Sequence, residues 1–210
     1  MDGGWLVKLS RVTMGVVFAA LSCLGGAVAG AQVETIVAVR HGEKPPTGLG
    51  QLTCKGLNRA LALPKVLARY GKPDLIYAPN PAEQVSDHSN TMYSYVRPLI
   101  TIEPTAIQLG MPVNAQIGLT DIAGLQKELT QPANAHALIF VAWEHAKLNQ
   151  FAKEMVKSYG KDPSVVPAWP NDDYDRIYIF KITQAGGKPE LTFTVDHEHL
   201  DGSLSDHCPQ

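Results

Sequence analysis

Two apolar segments, each followed at once by polar side chains, constrain the fold of this chain more than any other feature. Residues 35–39 read Thr-Ile-Val-Ala-Val and are followed by Arg-His-Gly at 40–42. Residues 137–143 are also apolar and are followed by Glu-His at 144–145. Short apolar runs of this kind are typical of strands buried on both faces of a parallel sheet. Ligand crevices of open α/β sheets lie at the carboxyl ends of such strands, so both polar groups are candidate site residues.

Helical patterns alternate with these strands. The predicted helical segments are 53–71 with a kink or break at Pro64, 91–110 as two pieces interrupted by Pro98 and Pro104, 120–129 capped by Thr120 or Asp121, and 146–160. A short strand is expected within 73–80, and alternating runs around Gly186 and Gly187 predict a C-terminal hairpin. This order predicts an α/β fold, a three-layer sandwich of a mostly parallel sheet flanked by helices, with the hairpin adding an antiparallel edge.

Length and composition fit a single globular domain. The chain has 210 residues, of which 45% are hydrophobic and 18% charged. Lys8 and Arg11 precede an apolar run that ends in small residues near position 31, the pattern of a secretory signal. We therefore expect a signal peptide at 1–31, a single domain over 32–210 and a secreted or periplasmic protein. An uncleaved membrane anchor is the alternative that the length of the run allows.

The net charge indicates which binding partners to expect, and the cysteines depend on the compartment. The full chain has 18 basic and 20 acidic residues, and removal of Asp2, Lys8 and Arg11 with residues 1–31 leaves 16 and 19, a net charge of −3. This balance predicts no attraction to nucleic acid or to an anionic membrane surface. The exported domain would keep Cys54 and Cys208, which form either a disulfide in an oxidising compartment or two unpaired thiols.

Two strand ends that each carry a histidine can place two imidazoles in one crevice. A neutral imidazole acts as a nucleophile or as a proton carrier near neutral pH. Arg40, beside His41, can bind phosphate oxygens through two donors at once. Gly42 would let the backbone approach an anion closely. These residue types predict chemistry on a phosphate group.

Five segments resemble the histidine phosphatase superfamily, which has the phosphoglycerate-mutase-like fold. The segments are VRHGEKP at 39–45, LTCKGLNRA at 52–60, IYAPN at 76–80, VRPLITIEPTAIQLGMPV at 96–113 and ALIFVAWEH at 137–145. The resemblance covers most of residues 35–160, and the chain looks like an exported member of this superfamily.

The resemblance implies a phosphatase that hydrolyses a phosphomonoester of a small molecule or another phosphorylated substrate, without a metal or another cofactor. His41 would be the nucleophile that forms a phosphohistidine, and Arg40, Arg97 and His145 would bind the transferring phosphoryl group. Such a reaction needs charge neutralisation and in-line positioning, which these side chains can supply.

The proton donor for the leaving group is open between two carboxyl groups. Glu144 is at a strand end, although neighbours on a strand point to opposite faces, and Asp121 could equally be a helix cap. Lys44 either meets substrate phosphate or is a solvated loop charge, and Glu43 is expected to be a solvated loop charge.

Other functions stay open at this stage. The same fold could bind a phosphorylated ligand without turnover. His197, His199, His207 and Cys208 could hold a metal ion, although their spacing matches no compact zinc pattern. The acidic and aromatic stretch 169–176 reads as a turn or as a recognition loop. Substrate specificity is expected in the loops 79–90 and 161–176, whose composition does not choose a substrate.

Overall fold

The structure is a computed structural model, and it describes residues 1–4, 32–86, 91–184 and 186–209. Apart from its first four residues, the predicted signal sequence lies outside this part of the chain. The strands of the described residues are β1 (Gln32–Arg40), β2 (Leu75–Tyr77), β3 (Gln84–Ser86), β4 (Met92–Ser94), β5 (Leu138–Trp143), β6 (Arg176–Gln184) and β7 (Glu190–His197). The α-helices are α1 (Cys54–Leu67), α2 (Arg97–Leu109), α3 (Ile122–Leu129) and α4 (His145–Ser158).

Five of the strands form the central sheet, in the order β2-β5-β1-β6-β7. Strands β2, β5 and β1 pair in parallel, whereas β6 is antiparallel to both of its neighbours. Four strands therefore run in one direction and β6 runs against them, with β6 and β7 forming the predicted C-terminal hairpin. The predicted mostly parallel α/β fold is confirmed.

Helices cover both faces of this sheet, as a three-layer sandwich requires. Helices α1 and α2 pack on one face through residues that include Leu63, Leu67, Ile102 and Ala106. Helices α3 and α4 pack on the other face through Ile122, Leu125, Leu148, Phe151 and Met155. Alternate residues of β1 serve the two layers: Val37 and Val39 lie on the α1 side, and Ile36 and Ala38 lie on the α4 side. The apolar run 36–39 within β1 follows from this burial on both faces.

Helix α1 begins where the sequence predicts and continues through its proline. The hydroxyl of Thr53 accepts a hydrogen bond from the Gly56 N–H at 3.1 Å, which confirms Thr53 as the N-cap. The expected kink or break at Pro64 does not end the helix, which runs to Leu67. Leu63 and Leu67 on either side of the proline are buried in the core, and this packing offsets the hydrogen bond that proline removes.

The segment 91–110 differs from the prediction of two helical pieces. Its first residues form β4, which pairs with β3 in a separate two-stranded hairpin. The remainder is one helix, α2, with Pro98 in its first turn and Pro104 inside it. Proline is tolerated in the first turn because the N–H groups there have no helical partner. Pro98 therefore marks the start of α2 and does not interrupt it.

A disulfide bond joins Cys54 to Cys208, with the two Cα atoms 4.4 Å apart. Of the two states that the sequence left open, the bonded one is present. It attaches the C-terminal segment to the first residue of α1. Among the described residues, no helix is both long and apolar enough to cross a membrane.

Candidate functional site

The carboxyl ends of β1 and β5 open into a cavity of about 490 Å³. The strands are in register there, since Arg40 pairs with Trp143 and the His41 N–H donates to the Trp143 carbonyl at 3.0 Å. The cavity is lined by Arg40, His41, Lys44, Val85, Ser86, Tyr95, Arg97, Leu119, Glu144, His145, Ala146, Lys147 and Asn171. The structure thus brings together all six of the site residues predicted from the sequence.

His41 is held as a neutral imidazole with a defined orientation. Its Nδ1 lies 2.8 Å from the Gly42 carbonyl oxygen. A carbonyl only accepts, so this contact places the proton on Nδ1 and leaves the lone pair on Nε2. Burial, followed by the charge of Arg97, lowers the pKa of His41 to about 3. The ring therefore stays uncharged, with the lone pair of Nε2 free for nucleophilic attack, in neutral and mildly acidic solution.

The absence of a side chain at Gly42 lets the loop after His41 pack closely against α1. A Cβ at Gly42 would lie 2.6 Å from the carbonyl oxygen of Gly56, a backbone atom of α1. The Gly42 N–H donates to the hydroxyl of Thr101 at 2.9 Å, and that hydroxyl donates to the Arg97 carbonyl at 2.8 Å. Thr101 thereby links the loop after β1 to the first turn of α2.

Arg40 is buried, with 1% of its surface exposed, and is fixed by backbone carbonyls of the loop before β6. Its Nη1 donates to the Asn171 and Asp173 carbonyls at 2.8 Å each. Its Cζ lies 3.8 Å from the ring centre of Tyr174, a cation–π contact. The guanidinium plane is therefore set before any ligand arrives. Within the described residues, its buried Nε has no hydrogen-bond partner.

Arg97, the first residue of α2, brings a second guanidinium to the cavity. It is 2% exposed, and its Cζ lies 4.5 Å from the ring centre of Tyr95. The ring of Tyr95 also meets the His41 ring edge-on, with centroids 6.0 Å apart. Each arginine of the site is therefore stacked on a tyrosine, which orders both planar cations.

Glu144 and His145 both reach the cavity because the chain turns from strand to helix between them. Glu144 is the N-cap of α4 and accepts from the Lys147 N–H at 2.9 Å. Its Oε1 lies 2.5 Å from Nδ1 of His145, and Nε2 of His145 lies 2.8 Å from Oδ1 of Asn171. The expectation that strand neighbours diverge does not apply here, since His145 already belongs to the helix.

The charge state of Glu144 decides whether this carboxyl group can protonate a leaving group. Burial raises the pKa of this carboxyl, but the adjacent His145 and the N–H groups of Ala146 and Lys147 outweigh it and hold the pKa at about 2. Glu144 is therefore ionised at neutral pH, whereas a proton donor must start in the neutral form. The other candidate, Asp121, is outside the cavity lining and caps α3 by accepting from the Gly124 N–H at 2.8 Å.

Glu43 is not the solvated loop charge expected from the sequence. Its carboxylate accepts from Nε and Nη2 of Arg59 at 3.0 and 2.8 Å. Arg59 lies within the LTCKGLNRA segment, yet no local pattern marked it as more than a helix residue. Only the folded chain brings these two residues, 16 positions apart, into contact.

Several residues that line the cavity were not predicted from the sequence. Lys147 follows His145 by two positions and adds a cation at the start of α4. Asn171 belongs to the acidic and aromatic loop, where Asp173 accepts from the N–H groups of Asp175 and Arg176, both at 3.1 Å. The loop is thus both a turn and a wall of the site. Val85 and Ser86 come from the hairpin of β3 and β4, so both long loops expected to set specificity reach the cavity.

The cavity lining is strongly cationic although the whole chain has a net charge of −2. Arg40, Lys44, Arg97 and Lys147 face a single carboxylate, Glu144, among the lining residues. Guanidinium and ammonium donors of this kind favour an anion with several oxygens. Among the described residues, no group of three or more histidine, cysteine, aspartate or glutamate side chains is placed to hold a metal ion.

Comparison with known proteins finds similar structures but no similar sequences among family models and curated proteins. No protein-family model and no curated protein matches the chain. A protein from Nakamurella multipartitia assigned as the phosphohistidine phosphatase SixA aligns with a TM-score of 0.50 and 18% identity, over 81% of this chain and 98% of that one.

Two mycobacterial structures are also similar. A hydrolase aligns with a TM-score of 0.53 and 14% identity, over 78% of this chain and 89% of its own. A glucosyl-3-phosphoglycerate phosphatase in complex with inorganic phosphate aligns with a TM-score of 0.51 and 13% identity, over 78% and 95%. The architecture described above and these alignments lead to one conclusion: the chain has the fold of the histidine phosphatase, or phosphoglycerate-mutase-like, superfamily.

Proposed function

We propose that this chain is an exported phosphatase that hydrolyses a phosphomonoester through a phosphohistidine on His41. The observation that carries the proposal is the state of His41. Its Nδ1 is engaged by the Gly42 carbonyl at 2.8 Å, so its free lone pair is on Nε2, and it shares a cavity with two ordered guanidinium groups. A neutral, oriented imidazole beside fixed cations is the arrangement that nucleophilic attack on a phosphate group requires.

The reaction proceeds in two displacements. In the first, Nε2 of His41 forms a bond to phosphorus and the bond from phosphorus to the ester oxygen breaks. Arg40 and Arg97 neutralise the charge on the equatorial phosphoryl oxygens, and they need little reorganisation because tyrosine rings and backbone carbonyls already fix them. In the second, water attacks phosphorus, the bond to Nε2 breaks, and phosphate leaves with His41 regenerated.

We assign protonation of the leaving oxygen to His145, because Glu144 is ionised and Asp121 lies outside the cavity lining. Nδ1 of His145 lies 2.5 Å from the Glu144 carboxylate, and its Nε2 lies beside Asn171 at the cavity wall. The role of Glu144 is then to orient the ring of His145, and Lys44 and Lys147 attract the anionic substrate.

The named structural neighbours support a phosphatase. Two of the three neighbours described above are phosphatases by name, and one of these two was determined with inorganic phosphate. Export is supported by the signal-like pattern of residues 1–31 and by the disulfide of the domain, since disulfides persist mainly in oxidising compartments.

The test is hydrolysis of an aryl phosphate without added metal, measured for the parent, for His41→Ala and for His136→Ala. His136 is exposed and outside the cavity lining, so it is the matched control. We expect activity in the parent and the control, and its loss in His41→Ala. Quenching the parent during turnover should also trap acid-labile, base-stable phosphate on the protein. Equal activity in parent and His41→Ala would refute the role of His41.

Binding of a phosphorylated ligand without turnover is the second candidate function. It is favoured by one observation, namely that the carboxyl group of the cavity is ionised and so cannot itself protonate a leaving alkoxide. Calorimetric binding of inorganic phosphate by the parent, together with no hydrolysis between acidic and neutral pH, would select this function over catalysis.

A further inference from the structure

The C-terminal segment 198–208 folds over the first turns of α1, next to the loop that follows His41. Asn58 of α1 donates through its side-chain amide to the carbonyls of Ser205 and His207, both at 2.8 Å. One turn earlier, Cys54 is bonded to Cys208. The segment is therefore attached to α1 by a covalent bond and by backbone acceptors along the same helix face.

Arg59 is the centre of the contacts beneath this segment. Its side chain has no exposed surface, and it meets four carboxylates from three separate parts of the chain. The partners are Glu43 at 2.8 and 3.0 Å, Glu198 at 2.6 Å, Asp201 at 2.5 Å and Asp175 at 3.7 Å. Two of these, Glu198 and Asp201, belong to the C-terminal segment. A buried guanidinium of this kind depends on its partners, because an unpaired charge in the interior is costly.

The first set of contacts in this cluster joins Arg59 to the loop that follows His41. Glu43 lies two residues after His41, and its carboxylate accepts both hydrogen bonds of the Arg59 fork. Its carbonyl accepts from the Thr53 N–H at 2.8 Å, immediately before the cysteine of the disulfide. The contacts from Cys208 therefore run through α1 and Arg59 to Glu43, which is two residues along the chain from His41.

The second set of contacts joins the C-terminal segment to the loop that fixes Arg40. Asp175 accepts from the N–H groups of His199 and Leu200 in the C-terminal segment, at 3.1 and 2.8 Å. Its neighbour Tyr174 stacks on Arg40, whose Nη1 also binds the Asp173 carbonyl. The C-terminal segment is thus linked through Arg59 to the loop after His41, and through Asp175 to the loop that fixes Arg40.

The disulfide closes the segment that carries two of these acidic partners. Glu198 and Asp201 precede Cys208 in the C-terminal segment, and Cys54 begins the helix that carries Arg59. The bond between the two cysteines therefore keeps both acidic side chains beside the arginine. The disulfide thus has a local role at the site in addition to its effect on the unfolded chain.

We propose that the C-terminal segment is a clamp on the active site, closed by the Cys54–Cys208 disulfide, with Arg59 as the positioning residue that transmits it to His41 and Arg40. This inference rests on the proposed function, because it assigns what keeps that site in its reactive arrangement. Opening the clamp requires a dithiol reductant, which supplies two electrons and two protons to the sulfur–sulfur bond, gives two thiols and is itself oxidised to a disulfide. The reduced protein then has lower turnover.

The experiment compares the parent, Cys208→Ser, Arg59→Lys and the control Arg69→Lys. Arg69 also ties the C-terminal region to the helical layer, through Asp196 at 3.1 Å, but it has no contact with Glu43. Lysine keeps the charge of Arg59 and loses the two-pronged geometry. For aryl phosphate hydrolysis we expect kcat to fall by about tenfold or more in Cys208→Ser and Arg59→Lys, with KM nearly unchanged, as for a misplaced nucleophile. Arg69→Lys should retain the parent kcat.

Amide hydrogen exchange is the readout that does not depend on activity. Opening the clamp should speed exchange at residues 42–44 and 173–175 in Cys208→Ser and in the parent treated with dithiothreitol. If the exchange increases only within 198–208 while 42–44 keep the parent rate, the clamp is refuted. A parent that is inactive but shows the expected exchange would overturn the proposed function and leave the clamp standing. Should Arg59→Lys fail to fold, Cys208→Ser decides, since it keeps every side chain of the cluster.

Discussion

Replacement of Thr101 by valine tests whether the hydrogen bond between α2 and the loop after His41 is needed for stability and for turnover. Thr101 has no exposed surface, and valine has nearly its shape but no hydroxyl. The change removes the acceptor of the Gly42 N–H at 2.9 Å and the donor to the Arg97 carbonyl at 2.8 Å. A buried N–H left without a partner costs about 1–3 kcal/mol, so we expect the free energy of unfolding to fall by about 2 kcal/mol.

Thr105, one turn further along α2, is the matched control. It is 2% exposed, and its hydroxyl has no hydrogen-bond partner among the described residues. Thr105→Val therefore removes an unpaired polar group, and it should leave stability unchanged or raise it. The assay is urea unfolding of both variants, together with kcat/KM for an aryl phosphate. We expect kcat/KM to fall by about tenfold in Thr101→Val alone, because Gly42 directly follows His41. Equal losses of stability in the two variants would refute the argument.

Two further substitutions test the packing of Gly42 against α1 and the raised pKa of the buried Glu34. Gly42→Ala should destabilise the protein by about 1–3 kcal/mol and reduce turnover, since its Cβ would lie 2.6 Å from the Gly56 carbonyl oxygen; a Gly42→Ala protein as stable and active as the parent would contradict this packing. Glu34 is 3% exposed, and burial raises its pKa to about 8 from the usual 4.5. The folded state then binds more protons than the unfolded state between pH 4.5 and 8, so the stability present below pH 4.5 is lost as pH rises through this range, by up to about 1.4 kcal/mol per pH unit. Urea midpoints of Glu34→Gln at pH 5 and 8 should differ less than those of the parent, and identical pH dependences would rule out a raised pKa.

The sheet and the two strand ends were predictable because their signals are local. An all-apolar run is found in β1 because both of its faces are buried, and the same holds for β5. Once the two strands are parallel neighbours, the polar groups after them must meet at one edge, which is where His41 and His145 lie. The resemblance to the superfamily added Arg97, whose position in the cavity no periodicity indicates.

Features that depend on distant pairing were missed. The strands β3 and β4 contain only three residues each, which is too short for an alternating pattern to predict a strand. The reading of Pro98 as a break was wrong because the position of a proline relative to the helix start, and not its presence, decides its effect. Glu43 resembled any charged loop residue until Arg59 lay beside it.

By itself, the sequence determined the alternation of strands and helices, the parallel pairing that follows from it and the residue types at the strand ends, since these depend on neighbours a few positions apart. Only the tertiary structure decided which groups share the cavity and in what state. Asn171 meets His145 across 26 positions, and Glu198 meets Arg59 across 139. The neutral His41 and the ionised Glu144 are likewise consequences of burial and of hydrogen bonds that exist only after folding, because charge states respond to the surroundings of a group and not to its place in the chain.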